Sequence, residues 1–217
     1  MSAAIPHRFI VVEGPIGVGK TSLARRLAET LDGVATLEGA EENPFLPRFY
    51  EDPRSGALPT QLFFLFQRAR QVQEMRQADI FQPRRVADFL FEKDHLFASL
   101  NLDNDELRLY EQVYEKLALD APEPDLVIYL QAPVEVLMNR IARRGIGYEQ
   151  GMDSEYLANL NEAYTRFFHH YDRAPLLIVN AAEIDLVQGD QGYQMLLERI
   201  ASIRSGRHYF NPVPDGL

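Results

Sequence analysis

Residues 14–21 read Gly14-Pro15-Ile16-Gly17-Val18-Gly19-Lys20-Thr21, and they indicate the fold more directly than any other part of the chain. The G-x-x-x-x-G-K-T spacing is typical of a loop that binds the phosphates of a nucleoside triphosphate. Glycines allow successive backbone N–H groups to turn inward around a phosphate. Lys20 can reach the β- and γ-phosphates, the Thr21 hydroxyl can bind Mg²⁺, and the following helix, with Ser22 in its first turn, adds its positive N-terminal end. The sequence therefore predicts a binding site for a nucleoside triphosphate and Mg²⁺.

The segments on either side of this loop have the arrangement that the motif requires. Residues 9–13 form a short apolar run suited to a buried parallel strand, and residues 20–31 have apolar positions at helical spacing. Four more strands are predicted at residues 34–38, 85–88, 126–131 and 176–180. Five more helices are predicted at residues 58–77, 104–118, 133–144, 154–171 and 193–204. This alternation predicts one α/β domain over residues 1–217, with a five-stranded parallel sheet, helices on both faces and ligands at the carboxyl ends of the strands.

The composition narrows the possible partners. The 217 residues carry 22 basic and 32 acidic side chains, and this formal charge of −10 argues against binding to nucleic acid. Because the chain has no cysteine, disulfides and cysteine-based metal sites are excluded. No apolar stretch reaches about 20 residues and the N-terminus lacks a signal-peptide pattern, so we expect no membrane association and a cytoplasmic protein. Residues 208–217 contain two prolines and a glycine and are expected to pack irregularly.

Two acidic residues end predicted strands and are therefore expected at the same sheet edge as the phosphate-binding loop. Glu38 ends the second strand, where a carboxylate can accept a proton from a hydroxyl that attacks the γ-phosphate. Asp88 ends the third strand, where it can serve Mg²⁺ through water, or it can instead cap the N-terminus of a helix. Glu41 and Glu42 are interpreted as partners of a helix dipole.

A nucleobase site is predicted on the helix at residues 58–77. Gln61 and Arg68 lie seven residues apart, hence on one face of an otherwise apolar helix, where polar groups need partners. The Gln61 amide can donate and accept at once, which suits the edge of a base. Asp94 could pair with Arg68 and accept from an exocyclic amine. The phenylalanines between Gln61 and Arg68 are expected mainly in the core.

Three arginines precede a glycine-rich segment. Arg140, Arg143 and Arg144 close a predicted helix and lead into residues 145–151, which contain three glycines. These arginines could simply offset the helix dipole. Because arginine forks match phosphate geometry, we interpret residues 140–151 as a lid that closes over phosphates and excludes water.

These motifs together resemble the deoxynucleoside kinase family, especially the bacterial deoxyadenosine and deoxyguanosine kinases, from about residue 9 to residue 180. The more specific marks are Glu38 followed by EENPFL at 41–46, the spacing of Tyr50 and Gln61, QLFFLFQR at 61–68, VADFLFEKD at 86–94, and RIARRG at 140–145 with Glu149 beyond. The resemblance implies a P-loop kinase fold and a homodimer with an interface on residues 104–118 or 154–171. It also implies phosphorylation of a deoxynucleoside 5′-hydroxyl by ATP with Mg²⁺, with deoxyadenosine favoured.

The resemblance further implies roles on the acceptor side of the site. Glu38 is similar to the general base that activates the 5′-hydroxyl, and Tyr50 and Glu149 resemble the pair that holds the 3′-hydroxyl. The implied base-reading residues are Gln61, Arg68 and Asp94, with Phe63 and Phe64 as walls of the base pocket.

On the phosphate side, the resemblance makes Asp88 the acidic member of a motif that holds Mg²⁺ together with Thr21. Arg140 and Arg144 resemble lid arginines that bind the donor. Catalysis would then rest on Glu38, Lys20, Asp88 and Arg144, and ATP would contact residues 14–22 and the two lid arginines.

Two positions depart from the family pattern. The arginine that usually follows the motif acid is replaced by Phe89, and the last lid arginine is replaced by Ile146. Because both cations would stabilise charge near the transferring phosphoryl group, a nucleotide-binding module with little catalysis is one alternative function. A nucleoside-monophosphate kinase of the thymidylate-kinase type is another. Arg143 could take over part of the lid's role.

Overall fold

The computed structural model of the chain describes residues 5–77, 84–117, 121–182 and 189–211. The strands in this part of the chain are β1 (Phe9–Glu13), β2 (Val34–Thr36), β3 (Arg85–Ala87), β4 (Leu126–Gln131), β5 (Leu176–Asn180) and β6 (Arg207–Phe210). The helices are α1 (Lys20–Thr30), α2 (Leu46–Glu51), α3 (Pro53–Gln77), α4 (Lys93–Asn101), α5 (Asn104–Leu117), α6 (Val134–Arg144), α7 (Ser154–His170) and α8 (Asp190–Ser202). Two short 3-10 helices lie at Ala40–Glu42 and Gly147–Glu149.

The strands form one parallel sheet in the order β2-β3-β1-β4-β5-β6, flanked by helices. The central strand β1 pairs with β3 through Val11 and Ala87, and with β4 through Val11 and Val127. Residues Leu126 to Leu130 of β4 are all buried, as expected for a strand covered on both faces. The predicted α/β fold with a parallel sheet is therefore confirmed.

The prediction of five strands is wrong, because the described part of the chain contributes a sixth. Residues 207–210, which overlap the segment expected to pack irregularly, form β6 and pair in parallel with β5. This strand is hard to recognise in the sequence because it is only four residues long and begins with the polar Arg207 and His208 instead of forming an apolar run. The Arg207 guanidinium donates to the carbonyls of Phe168, His169 and Tyr171 at the end of α7 and so anchors the start of β6. Residues 212–217 lie outside the described residues.

Several element boundaries differ from the predicted ones. β2 ends at Thr36, so Glu38 lies two residues beyond the strand. α3 begins at Pro53 rather than at residue 58, because Pro59 inside the helix conceals its first turns in the sequence. The helix start that Glu41 and Glu42 indicate is a 3-10 turn at Ala40–Glu42, and the α-helix α2 begins only at Leu46. The nine-residue helix α4 was missed, because a short apolar segment has no clear period. The helix predicted at residues 104–118 corresponds to α5, and its predicted last residue, 118, lies outside the described residues.

Two hydrophobic clusters flank the cavity that carries the candidate site. One surrounds the sheet and includes Leu27 and Ile128, and the other includes Leu65 of α3 and Tyr110 of α5. α2 packs directly on α3 and α3 on α4, so the second cluster holds these three helices over the end of the sheet. Among the described helices, none combines the length and the apolar character that crossing a membrane requires.

Candidate active site

The carboxyl ends of β1, β2 and β3 open into a cavity of about 500 Å³. Most of the residues predicted to form the site line it. These are Ile16, Gly17, Gly19, Lys20, Thr21, Ser22, Glu38, Tyr50, Gln61, Arg68, Asp88, Arg140, Arg144 and Glu149. Four predicted residues, Gly14, Pro15, Val18 and Asp94, are buried behind its surface. The tertiary structure therefore brings together residues from the whole span between residues 14 and 149.

The phosphate-binding loop takes a conformation that only glycine adopts readily. Gly14, Gly17 and Gly19 have φ angles of +148°, +84° and +103°. A Cβ atom at Gly14 would lie 2.5 Å from the Leu130 carbonyl oxygen, so the loop also needs glycine for its close approach to β4. The Lys20 Nζ atom donates to the carbonyls of Gly14 at 2.7 Å and Pro15 at 3.2 Å. The loop residues behind the surface thus hold the lysine that faces the cavity.

The ammonium group of Lys20 loses its proton more easily than an ordinary lysine does. Burial of its ammonium group and then the positive charge of Lys93 lower its pKa to about 8, and Glu13, Glu38 and Asp88 only partly oppose this. An anion bound in the loop would favour the protonated form.

Asp88 connects the loop to Glu38. Its Oδ2 atom accepts from the Thr21 hydroxyl at 2.5 Å, and its Oδ1 atom accepts from the Glu38 backbone N–H at 2.8 Å. Because α4 begins at Lys93, Asp88 does not cap that helix, and the alternative interpretation of Asp88 is wrong. The hydroxyl and the carboxylate are oxygen ligands of the kind that Mg²⁺ prefers, so the two residues fit such an ion. Within the described ranges, no group of three or more His, Asp or Glu side chains could hold a metal without other ligands.

Two cations hold the Glu38 carboxylate. Arg68 forms an ion pair with its Oε1 atom, and Lys93 Nζ donates to its Oε2 atom at 2.8 Å. Burial alone would raise the pKa of Glu38, but the charges of Arg68 and Lys93 outweigh burial and lower the pKa to about 2. Glu38 is therefore ionised at any physiological pH and remains 16% exposed toward the cavity.

Arg68 bridges Glu38 and the predicted base pocket. It also forms an ion pair with Asp94, which is fully buried, so the predicted pairing of these two residues is present. Asp94 acts on the cavity through Arg68, since it does not itself line it. Gln61 and Phe64 line the cavity near Arg68, whereas Phe63 packs on Phe45 and Phe64, with ring centroids 6.5 and 6.4 Å apart.

The predicted lid contributes several lining residues to the same cavity. Arg144 forms a bidentate ion pair with Glu149. The contact joins a residue predicted to bind phosphate to a residue predicted to bind the sugar. Arg140 donates to the carbonyls of Val18 and Ala181, at 3.3 and 2.7 Å, and so ties the lid helix α6 to the loop. Ile146 lines the cavity, but Arg143 is exposed and does not. The suggested role of Arg143 stays a prediction without support from its position.

The residues predicted to hold the sugar are the half-buried Tyr50 and the buried Glu149, and Tyr148 lies beside them. Tyr50 stacks on Tyr148 of the lid, with ring centroids 5.7 Å apart. Burial, followed by the neighbouring Tyr156 and Glu149, raises the pKa of Tyr50 well above its usual value, so its hydroxyl keeps its proton. Tyr50 can therefore donate a hydrogen bond, while Glu149 can only accept.

Sequence reasoning missed two charged residues: Lys93, which contacts Glu38, and Glu13, which lies near Lys93. The Lys93 side chain is only 3% exposed and also lies 3.7 Å from the Glu13 carboxylate. Glu13, which is fully buried, accepts from the backbone N–H groups of Gly14 and Leu90 and from the Tyr164 hydroxyl. One signal was available: Lys93 is one of three lysines in the chain and stands in the mostly apolar segment 86–97.

A phosphate-binding loop followed by carboxylates at the ends of neighbouring parallel strands, here Glu38 and Asp88, is the arrangement of a P-loop phosphotransferase. Comparison with known proteins identifies the family within this class. The family model described as deoxynucleoside kinase matches residues 10–204. The chain is 33% identical to the deoxyguanosine kinase of Bacillus subtilis over 157 residues, which cover 72% of this chain and 76% of the relative. It is 30% identical to the deoxyadenosine kinase of Lactobacillus acidophilus over 207 residues, which cover 89% and 94%.

Solved structures agree with this assignment. The fold matches deoxyadenosine kinase from M. mycoides, solved with the products dCMP and dCDP, with a TM-score of 0.78 and 25% identity over 90% of this chain and all of the other. The same enzyme with bound dATP matches with a TM-score of 0.75 at 24% identity, covering 89% and 100%. The chain therefore belongs to the deoxynucleoside kinase family and is a phosphotransferase that acts on deoxynucleosides, as its motifs indicated.

Proposed function

We propose that this protein transfers the γ-phosphate of ATP, with Mg²⁺, to the 5′-hydroxyl of a purine deoxynucleoside, and that deoxyadenosine is its preferred acceptor. The observation that carries this proposal is the position of the ionised Glu38 carboxylate. It lies between the loop lysine Lys20, which influences its pKa, and the base-pocket arginine Arg68, which contacts it directly.

The acceptor side of the cavity suits a neutral nucleoside. Gln61 offers a donor and an acceptor to a base edge. Among the described residues, the buried Arg68 Nε and Thr60 Oγ1 atoms have no hydrogen-bond partner, so a ligand could satisfy both. The sugar end is bounded by the Tyr50 hydroxyl and the Glu149 carboxylate, which can donate to and accept from a 3′-hydroxyl. The names of the relatives from L. acidophilus and B. subtilis, a deoxyadenosine and a deoxyguanosine kinase, support a purine.

The donor side would hold the triphosphate on the backbone of residues 14–22 and on Lys20. Thr21 and Asp88 would hold Mg²⁺, which neutralises charge on the β- and γ-phosphates when bound. Arg140 and Arg144 would bind the donor phosphates from the lid, and Arg144 would have to exchange its ion pair with Glu149 for them.

Glu38 would accept the proton of the 5′-hydroxyl. A carboxylate with a pKa near 2 is a weak base, but most analyses of phosphoryl transfer describe a loose transition state that asks little of the base. Arg68 and Lys93 keep Glu38 ionised. Glu38 would therefore act mainly by accepting a hydrogen bond from the 5′-hydroxyl, which aligns the attacking oxygen with the γ-phosphorus and the leaving oxygen.

A phosphorylation panel on the purified protein tests this proposal. Each deoxynucleoside, ribonucleoside and deoxynucleoside monophosphate would be offered with ATP and Mg²⁺, and then with EDTA in place of Mg²⁺. We expect phosphorylation of deoxyadenosine first, and none without Mg²⁺. Turnover confined to monophosphates would contradict the role of Glu38 and indicate a nucleoside-monophosphate kinase. ATP binding without turnover would indicate a binding module.

The variant Glu38→Gln separates catalysis from binding. Because the amide keeps the shape but cannot take a proton, we expect kcat to fall by about 10²- to 10⁴-fold, while the Kd for deoxyadenosine changes by less than about fivefold. Steady-state kinetics and calorimetric titration give the two numbers. Glu42→Gln is the matched control, since Glu42 is exposed and does not line the cavity. Equal losses in both variants would contradict the assignment.

The homodimer, the single domain over residues 1–217 and the cytoplasmic location stay predictions from the sequence. For the dimer, α5 is a suitable interface helix because Leu109 on it is 48% exposed.

A further inference from the structure

We propose that Lys93 is a catalytic residue of this kinase, whose ammonium group stabilises the transferring phosphoryl group in place of the arginine that the family pattern puts at position 89. The inference rests on the proposed phosphoryl transfer and adds a residue to it.

The position of Lys93 is that of a site residue. It is the first residue of α4, it lines the cavity, and its side chain is only 3% exposed. Its Nζ atom lies 2.8 Å from the Glu38 Oε2 atom. The cation therefore lies beside the carboxylate that would contact the attacking hydroxyl, and α4 fixes it there with little freedom.

Lys93 and Lys20 both line the same cavity. In agreement with this, burial and then the positive charge of Lys93 lower the pKa of Lys20. Two cations that face one buried cavity gain from an anion that both can contact. A γ-phosphoryl group in transit from the loop to Glu38 develops negative charge on its outer oxygens and would supply that anion.

A purely structural role for Lys93 fits the contacts less well. Its structural partner would be Glu13, but this carboxylate already accepts hydrogen bonds from Gly14, Leu90 and Tyr164. Lys93 lies farther from Glu13, at 3.7 Å, than from the cavity-facing Glu38. An ammonium group has three protons to donate, so the hydrogen bond to Glu38 leaves donors for a phosphoryl oxygen.

The neighbouring groups cannot replace Lys93. Phe89 is buried and uncharged, and its ring lies 5.9 Å from the guanidinium carbon of Arg68. Arg68 directs its two terminal nitrogens at Glu38 and Asp94 and keeps only its buried Nε–H without a partner. Lys93, by contrast, faces the cavity beside Glu38 with an ammonium group that has donors left after its bond to Oε2.

Lys93 takes no part in proton transfer during the chemical step. The 5′-oxygen forms a bond to the γ-phosphorus while the bond to the bridging oxygen breaks and ADP leaves with the electron pair. The hydroxyl proton passes to Glu38. Lys93 keeps its protons throughout and stabilises charge on the phosphoryl oxygens.

The test compares Lys93→Met and Lys93→Gln with Lys93→Arg, in the full chain, using the best deoxynucleoside from the panel with ATP and Mg²⁺. Lys116→Met is the matched control, because Lys116 is exposed on α5 and outside the cavity. We expect both neutral variants to lose about 10²- to 10³-fold in kcat, with the KM for the nucleoside within about threefold of wild type. Lys93→Arg should stay within about tenfold of wild type, and Lys116→Met should be unchanged.

The split between kcat and KM is the readout that a structural role would not produce, because a misplaced carboxylate or a loosened site would also weaken nucleoside binding and raise KM. Lys93→Gln, which can still donate to Glu38, carries the test if Lys93→Met fails to fold.

The outcomes are distinct. An unchanged kcat in a folded neutral variant, or a loss confined to KM, would overturn the role of Lys93. Failure of both neutral variants to fold, judged by circular dichroism and ATP binding, would assign Lys93 to the fold and also overturn it. A wild-type protein that phosphorylates no deoxynucleoside would instead refute the proposed function.

Discussion

At the scale of single residues, the site depends on neighbouring charges that shift the pKa values of one another. Glu38 is kept ionised by Arg68 and Lys93, whereas Lys20 is pushed toward its neutral form by burial and by Lys93. The pKa values of both groups are lowered, which keeps the carboxylate charged but favours the neutral form of the lysine. The carboxylate is thus suited to accept from a hydroxyl, and the lysine gains its charge fully when phosphates bind. Lys93 contributes to both shifts.

The pKa of Lys20 leads to a pH dependence of ATP binding. Its pKa of about 8 means that the ammonium form, which phosphates require, is lost as the pH rises above 8. We expect the Kd for ATP to rise about tenfold between pH 7 and pH 9, with proton uptake on binding at the higher pH, as measured by calorimetry in buffers of different ionisation enthalpy. Lys20→Arg is the control, because a guanidinium keeps its charge over this range and its Kd should not vary. A flat wild-type profile would contradict the lowered pKa.

At the scale of elements, short helices position the substrate side chains. α2 carries Tyr50, α3 carries Gln61 and Arg68, and α4 begins at Lys93. α2 can lie close to α3 because Gly56 has no side chain: a Cβ atom there would lie 2.5 Å from the Phe49 Cα atom and 2.6 Å from its backbone nitrogen. The placement of Tyr50 thus depends on a glycine that never touches the cavity.

The variant Gly56→Ala tests this packing. Because backbone atoms would meet the new methyl group, α2 must move, and we expect a loss of about 1–3 kcal/mol in the free energy of unfolding, together with a several-fold higher KM for the deoxynucleoside. Denaturant titration and steady-state kinetics measure the two effects. Gly151→Ala is the control, since its methyl group would meet nothing within 4 Å and stability should change by less than about 0.5 kcal/mol. An unchanged KM in a destabilised Gly56→Ala protein would separate α2 packing from acceptor binding.

At the scale of the whole molecule, the sheet order sets which residues meet. β1 lies between β3 and β4, so the loop after β1 faces Asp88 beyond β3 on one side and the end of β4 on the other. The cavity forms where the sheet cluster and the helical cluster meet, and Glu38 and its cations lie between them. The stability of the molecule is therefore coupled to the charge state of its site.

The pH dependence of stability follows from Glu38. Its folded pKa of about 2 is below the unfolded value of about 4.5, so its stabilising contribution is fully present above pH 4.5 and is lost as the pH falls through 2. We expect Glu38→Gln to lower the free energy of unfolding by about 3 kcal/mol at pH 6, and the difference from wild type to shrink toward zero near pH 2. Denaturant titrations at a series of pH values measure this. A difference that stays constant with pH, or one shared by Glu42→Gln, would contradict it.

The sequence by itself determined the α/β class, the phosphate-binding loop, the location of five of the six described strands and the family. These features depend on local patterns, because glycine spacing, apolar runs and helical periods can each be recognised in a short stretch of neighbouring residues. It also indicated Glu38 and Asp88, because any acidic residue that follows a parallel strand is carried to the same sheet edge.

Only the tertiary structure decided how the site charges pair. The Lys93–Glu38 contact joins residues 55 apart and the Arg68–Glu38 contact residues 30 apart, and no period in the sequence encodes either. It also put Asp94 behind Arg68, and it paired the polar segment at Arg207–Phe210 with β5 as a sixth strand. The physical reason is the same in each case: these contacts depend on how helices pack across the end of the sheet, and that packing is set by the whole core rather than by neighbouring residues.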